Sequence, residues 1–186
     1  MEIVSDLENV KHQQELYGDI GVTLARSGNH MLTRRIISVV VEANQKALIL
    51  CELASKTSKV KNQGMDKDFN EIQLIISKIE DTLKRDQCLV KFIEALALNG
   101  RYDWAFQTVS DITNAEKQSE SLVNIVGCLS EDGLYEKAYD VARNIEIVKQ
   151  KARAFKHFSM EISDVDESKA SDIFKQTYSG SVVDKR

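Results

Sequence analysis

Apolar residues recur at spacings of three and four along almost the whole chain. Between Cys88 and Leu98, the run Leu89, Val90, Phe92, Ile93, Ala95, Leu96 and Leu98 is broken only by Lys91 and Glu94, which makes one wide helical face. Similar faces are formed by Phe69, Ile72, Ile75, Ile76 and Ile79, by Leu122, Ile125, Val126 and Leu129, and by Tyr135, Ala138, Val141, Ala142 and Ile145. The β-branched cluster Ile36, Ile37, Val39, Val40 and Val41 continues a 3.6-residue pattern that begins at Met31 and Leu32, and it predicts a buried helix rather than a strand. The pattern as a whole predicts five helix pairs: 6–27 with 30–43, 45–58 with 66–80, 83–98 with 102–112, 116–131 with 134–146, and 149–162 with 166–178. Turns are expected at Gly28, Gly64, Gly100 and Gly133, where glycine can take the left-handed conformation that ends a helix. The expected fold is all-α: a single helical domain over 1–178 with a small, polar, frayed tail over 179–186.

Two stretches repeat. Gly100-Arg101-Tyr102-Asp103-Trp104-Ala105 and Gly133-Leu134-Tyr135-Glu136-Lys137-Ala138 share Gly-x-Tyr-x-x-Ala at a separation of 33 residues, with matching apolar positions on either side. A single helix pair of this size cannot bury its apolar faces alone, so copies stack. These features resemble the tetratricopeptide repeat. Tyr17, Ile20, Gly21 and Leu24 look like that family's first-helix pattern, and Ala170 with Phe174 is similar to its second-helix pattern. The chain departs from the family in having no closing proline and in carrying Cys51, Ile93 and Val126 where Gly21 stands in the first unit; a polar insertion with Lys56, Lys59, Lys61, Asn62, Gln63, Gly64 and Lys67 also lengthens the second pair. The resemblance implies an α-solenoid of about five antiparallel pairs in a right-handed superhelix, with small Ala105 and Ala138 at helix crossings.

Composition narrows the classes. There is no proline, 42% of residues are hydrophobic and 29% are charged, so a globular helical chain with glycine or polar turns is expected. A net charge of -4 argues against nucleic acid as the partner, and no apolar run approaches the roughly 18 residues of a membrane span. Acids near the N-terminus are unlike a secretory leader, and Cys51, Cys88 and Cys128 stand far apart as small apolar groups of a reducing compartment, which makes the cytoplasm the expected location.

Residues for chemistry are not gathered. His12, His30 and His157 share no metal spacing, no phosphate loop or nucleophile elbow occurs, and the acid pairs Glu80/Asp81 and Glu131/Asp132 sit at expected helix ends. No enzyme, cofactor or metal is expected.

Function must then lie in surface. In the tetratricopeptide family the first helices of successive units line a concave groove, and the resemblance implies that Glu15, Gly18 and Val22, then Gln45, Leu48 and Glu52, then Gln87, Val90, Glu94 and Leu98, then Glu120, Val123 and Gly127 face it. The partner-binding residues expected from this set are Val22, Leu48, Glu52, Val90, Glu94, Leu98 and Val123. Aliphatics mixed with carboxylates suit a peptide or amphipathic helix with apolar anchors and basic residues. The family's carboxylate clamp is not implied, because Gly18, Leu48, Val90 and Val123, with Val22, Glu52, Glu94 and Gly127, stand where it needs lysine and asparagine. The expected function is a protein-binding scaffold or adaptor; the alternative is a small cytoplasmic chaperone for a secreted or assembling client. A stripe covered by a neighbouring repeat or by a dimer mate is the competing explanation of the same aliphatics. Trp104 is expected between repeats, and the lysine-bearing insertion is expected to be a solvated loop.

Overall fold

The computed structural model describes residues 10–56 and 65–163. Among them are nine helices and no strand: α1 Val10–Arg26, α2 His30–Ile37, α3 Ala43–Lys56, α4 Met65–Ile76, α5 Thr82–Leu98, α6 Tyr102–Val109, α7 Ala115–Glu131, α8 Tyr135–Arg143 and α9 Val148–Ser163. The expected helix at 166–178, the tail and the middle of the lysine-bearing insertion lie outside the described residues.

Three of the turns are one structure repeated. Gly28, Gly100 and Gly133 have φ of 71°, 71° and 73°, a region that residues with a Cβ rarely adopt. In each turn the glycine N–H donates three residues back, Gly28 to Ala25, Gly100 to Ala97 and Gly133 to Ser130. The following N–H reaches five back, Asn29 to Leu24, Arg101 to Leu96 and Leu134 to Leu129, at 2.8 to 3.0 Å. This doubly bonded cap satisfies carbonyls that the helix end would leave open, and the next helix starts two residues after each glycine.

The second helices stop earlier than their apolar pattern. α2, α4, α6 and α8 end at 37, 76, 109 and 143 instead of 43, 80, 112 and 146. The last apolar residue of each pattern, Val40, Ile79, Ile112 or Ile145, lies beyond the helix yet is buried. In the last three of these turns the backbone tightens, with N–H bonds reaching three residues back (Ile79 to Ile76, Ile112 to Val109, Ile145 to Ala142), so the side chain stays on the core side after the helix has ended. The buried helix expected through Val41 is corrected accordingly: Val39 to Val41 form a loop in which stiff β-branched side chains no longer pay for helix, and Val41 is 72% exposed. A side chain from the preceding first helix fastens this loop. Gln14 Oε1 accepts the Val41 N–H at 2.7 Å, and 72 residues later Asp86 Oδ1 accepts the Thr113 N–H at 3.0 Å.

The chain divides into two compact units, Met1–Thr113 and Asn114–Arg186. In the first, α1 packs on α2 and α3, α3 on α4 and α5, and α5 on α4 and α6, so α1 and α3 each touch their own partner and the next first helix. Its core joins Ala25, Ile36, Val40, Ile49 and Leu53. Gly21 permits this approach, since a Cβ there would lie 2.4 Å from Ile49 Cδ1 and 3.0 Å from Ile36 Cγ2. Further along, Trp104 of α6 stacks edge-on against Phe69 of α4 and Phe92 of α5 with centroids 5.9 and 6.0 Å away, which sets it between two helix pairs. Arg34 to Asp68, at 3.0 Å, and Arg101 to Asp66, at 2.9 Å, tie second-helix segments together. In the second unit α7 packs on α8 and α9, and Tyr135, Tyr139, Phe155 and Phe158 form an aromatic cluster. Ala105 and Ala138 are both fully buried.

Candidate functional site

The face to be judged is the one carried by α1, α3 and α5 in the first unit. Val22, Leu48, Glu52, Val90, Glu94 and Leu98 are all half-buried, with part of each side chain left to solvent. Val22 also packs on the core cluster, so it has one side in the interior. Val123, expected on the same surface, is only 1% exposed; it is a core residue of the second unit and leaves the candidate site. Its helix presents half-buried Glu120 and Gly127 instead.

The two carboxylates are not open for a basic partner, because the chain supplies their counter-ions. Arg26 Nη2 lies 3.1 Å from Glu52 Oε1, linking α1 to α3, and Lys91 Nζ lies 2.8 Å from Glu94 Oε2 within α5. Donating a hydrogen bond to Glu94 raises the Lys91 pKa above the ordinary lysine value against a smaller desolvation effect, and Glu52 adds to the rise while Arg26 opposes it. The face thus carries two ion pairs, one joining α1 to α3 and one within α5. The Lys91–Glu94 spacing is a local helical pair visible in sequence. The Arg26–Glu52 pair joins residues 26 apart on different helices, and no local pattern signals it.

Cys51 of α3 and Cys88 of α5 are buried. Burial pushes the Cys88 thiol up to about 11 and the Cys51 thiol well above its usual range, so both are neutral thiols near pH 7. Cys88 Sγ donates to the Asn44 carbonyl at 3.5 Å, a structural bond between α5 and α3.

At the N-terminal ends of α1 and α3 the face opens into a cleft of about 410 Å³ bordered by Val10, Glu15, Val41, Glu42, Gln45 and Lys84. Nothing in the sequence pattern singles it out, since it depends on how the α2–α3 loop is held by Gln14. His12, His30 and His157 are exposed, as are Lys56 and Lys67 at the edges of the insertion. Among the described residues no three His, Cys, Asp or Glu gather so as to hold a metal ion, and no helix is long and apolar enough to cross a membrane. No protein-family model, no curated protein and no solved structure matches the chain.

Proposed function

We propose that the chain is a tetratricopeptide-like solenoid of antiparallel helix pairs, and that it acts as a scaffold or adaptor by binding a peptide or helix of another protein on the face of α1, α3 and α5. The solenoid reading is supported by the repeated glycine caps, by the loop fastenings 72 residues apart and by the packing of α1 on α3 and of α3 on α5. The binding reading rests on one observation: Leu48 and Val90, on adjacent packed helices, are aliphatic yet only half-buried, and Leu98 adds a third such side chain. Because Glu52 and Glu94 are already paired, recognition on this face rests on Leu48, Val90 and Leu98, with the ion pairs standing among them as neutralised polar groups.

Val90→Glu tests this. Burying an unpaired carboxylate in a contact costs several kcal/mol of binding, whereas a half-exposed position in the free protein accommodates the charge. The expected outcome is loss of the co-purifying partner with a preserved Tm. A large fall in Tm would assign Val90 to the core, and no change in either would withdraw the face.

A further inference from the structure

We propose that Asn99–Gly100 is a site of spontaneous deamidation that the native fold holds in check, and that its reaction loosens the junction between the C-terminal ends of α3 and α5. It is the only Asn-Gly pair in the chain. Glycine after asparagine leaves the next backbone nitrogen unshielded by a side chain, and that nitrogen is the nucleophile of the reaction. Once base has taken its proton, Gly100 N attacks Asn99 Cγ, the Cγ–Nδ2 bond breaks and ammonia leaves. Water then opens the cyclic succinimide at either carbonyl, giving aspartate or isoaspartate. Water is the only co-reactant, and nothing is oxidised or reduced.

The fold ties up both reacting groups. Gly100 N–H donates to the Ala97 carbonyl at 2.9 Å. Asn99 Nδ2 donates to the Ala95 carbonyl at 2.8 Å and to the Ala54 carbonyl at 3.0 Å. Nucleophile and amide are thus both committed to carbonyls, and the reaction must wait for this turn to open, which helix ends do more readily than helix interiors. The same bonds define what the product loses. Ala54 lies in the last turn of α3, where carbonyls have no N–H within their own helix, and the Asn99 amide supplies one from the end of α5. A carboxylate only accepts, so aspartate sets a negative oxygen against two carbonyl oxygens in a half-buried position. Isoaspartate also lengthens the main chain inside the cap that Gly100 completes at φ 71°. The residue before Gly133 is already an acid, Asp132, but it is exposed.

The test is peptide-mapping mass spectrometry of the full chain aged at mildly alkaline pH, in native buffer and in guanidinium chloride in parallel. In denaturant Asn99 is expected to convert faster than every other asparagine, and in native buffer its rate should fall by roughly tenfold or more. Asn99→Asp should lower the Tm by several degrees and Asn99→Ala by less, because alanine loses the bonds without adding the charge. Equal rates in the two conditions, a faster reaction at another asparagine in denaturant, or a wild-type Tm for Asn99→Asp overturns the proposal. If Asn99→Asp does not fold, the aged wild-type fraction carrying aspartate, separated by its extra negative charge, takes its place, and a Tm equal to that of the unaged chain overturns the proposal.

Discussion

The segments 81–113 and 114–146 can be laid on one another at an offset of 33 residues, and the comparison separates what builds a helix pair from what fills it. The framework coincides. Asp81 and Asn114 each accept the N–H three residues on, from Lys84 and Lys117, both at 3.0 Å. Gly100 and Gly133 end the first helices, Ala105 and Ala138 are buried in the second, and Ile112 and Ile145 plug the turn that follows. The filling does not coincide. Phe92 corresponds to Ile125, Trp104 is replaced by Lys137, and Cys88, bonded to the Asn44 carbonyl, is replaced by Ser121, whose hydroxyl is buried without a partner among the described residues. A few caps, one small residue and one plug therefore specify the backbone of a pair, and interior chemistry is free to vary around them.

The largest effect should come from striking the shared framework. Ala105→Leu and Ala138→Leu each overpack a fully buried site, and each is expected to cost about 1 to 3 kcal/mol in denaturant unfolding. Similar losses in both would sharpen the equivalence of the two segments; an unchanged Tm in both would break it. A smaller effect separates the interiors. Ser121→Ala removes a buried hydroxyl that has no described partner and should stabilise by about 1 kcal/mol, whereas Cys88→Ser introduces a hydroxyl and should destabilise by a comparable amount. Equal signs would mean that the two sites share a polar environment after all. The smallest difference concerns one basic side chain near each glycine, Arg101 and Lys137, which do not occupy aligned positions. Arg101, two of whose nitrogens lie within 3.1 Å of Asp66 Oδ1, should lose up to about 1 kcal/mol on replacement by Ala. Lys137→Ala should stay within about 0.5 kcal/mol. Matching values for this last pair would show that the Arg101 bridge contributes nothing measurable.

Helix identity was legible because a 3.6-residue apolar period survives in every described element, and glycine marked the first turn of three pairs, at Gly28, Gly100 and Gly133, the turn expected at Gly64 lying outside the described residues. The ends of the second helices were not legible, for a definite reason: Ile79, Ile112 and Ile145 keep the apolar spacing while the backbone has already tightened, so the pattern runs on past the helix. The candidate face was legible in part. Leu48, Val90 and Leu98 could be placed by register along single helices, but the burial of Val123 and the neutralisation of Glu52 by Arg26 depend on how helices meet. The roles of Gln14 and Asp86 were hidden likewise, since each reaches a loop 27 residues away.

The three glycine caps carry a consequence about handedness. At φ near 71° the backbone asks for the conformation natural to a D-residue, and glycine answers only because it has no hand. Gly28, Gly100 and Gly133 are thus the points where a one-handed genetic alphabet substitutes an achiral residue for a mirror-image one. A chemically made chain with D-alanine there would keep all three turns while giving the unfolded state less freedom to lose.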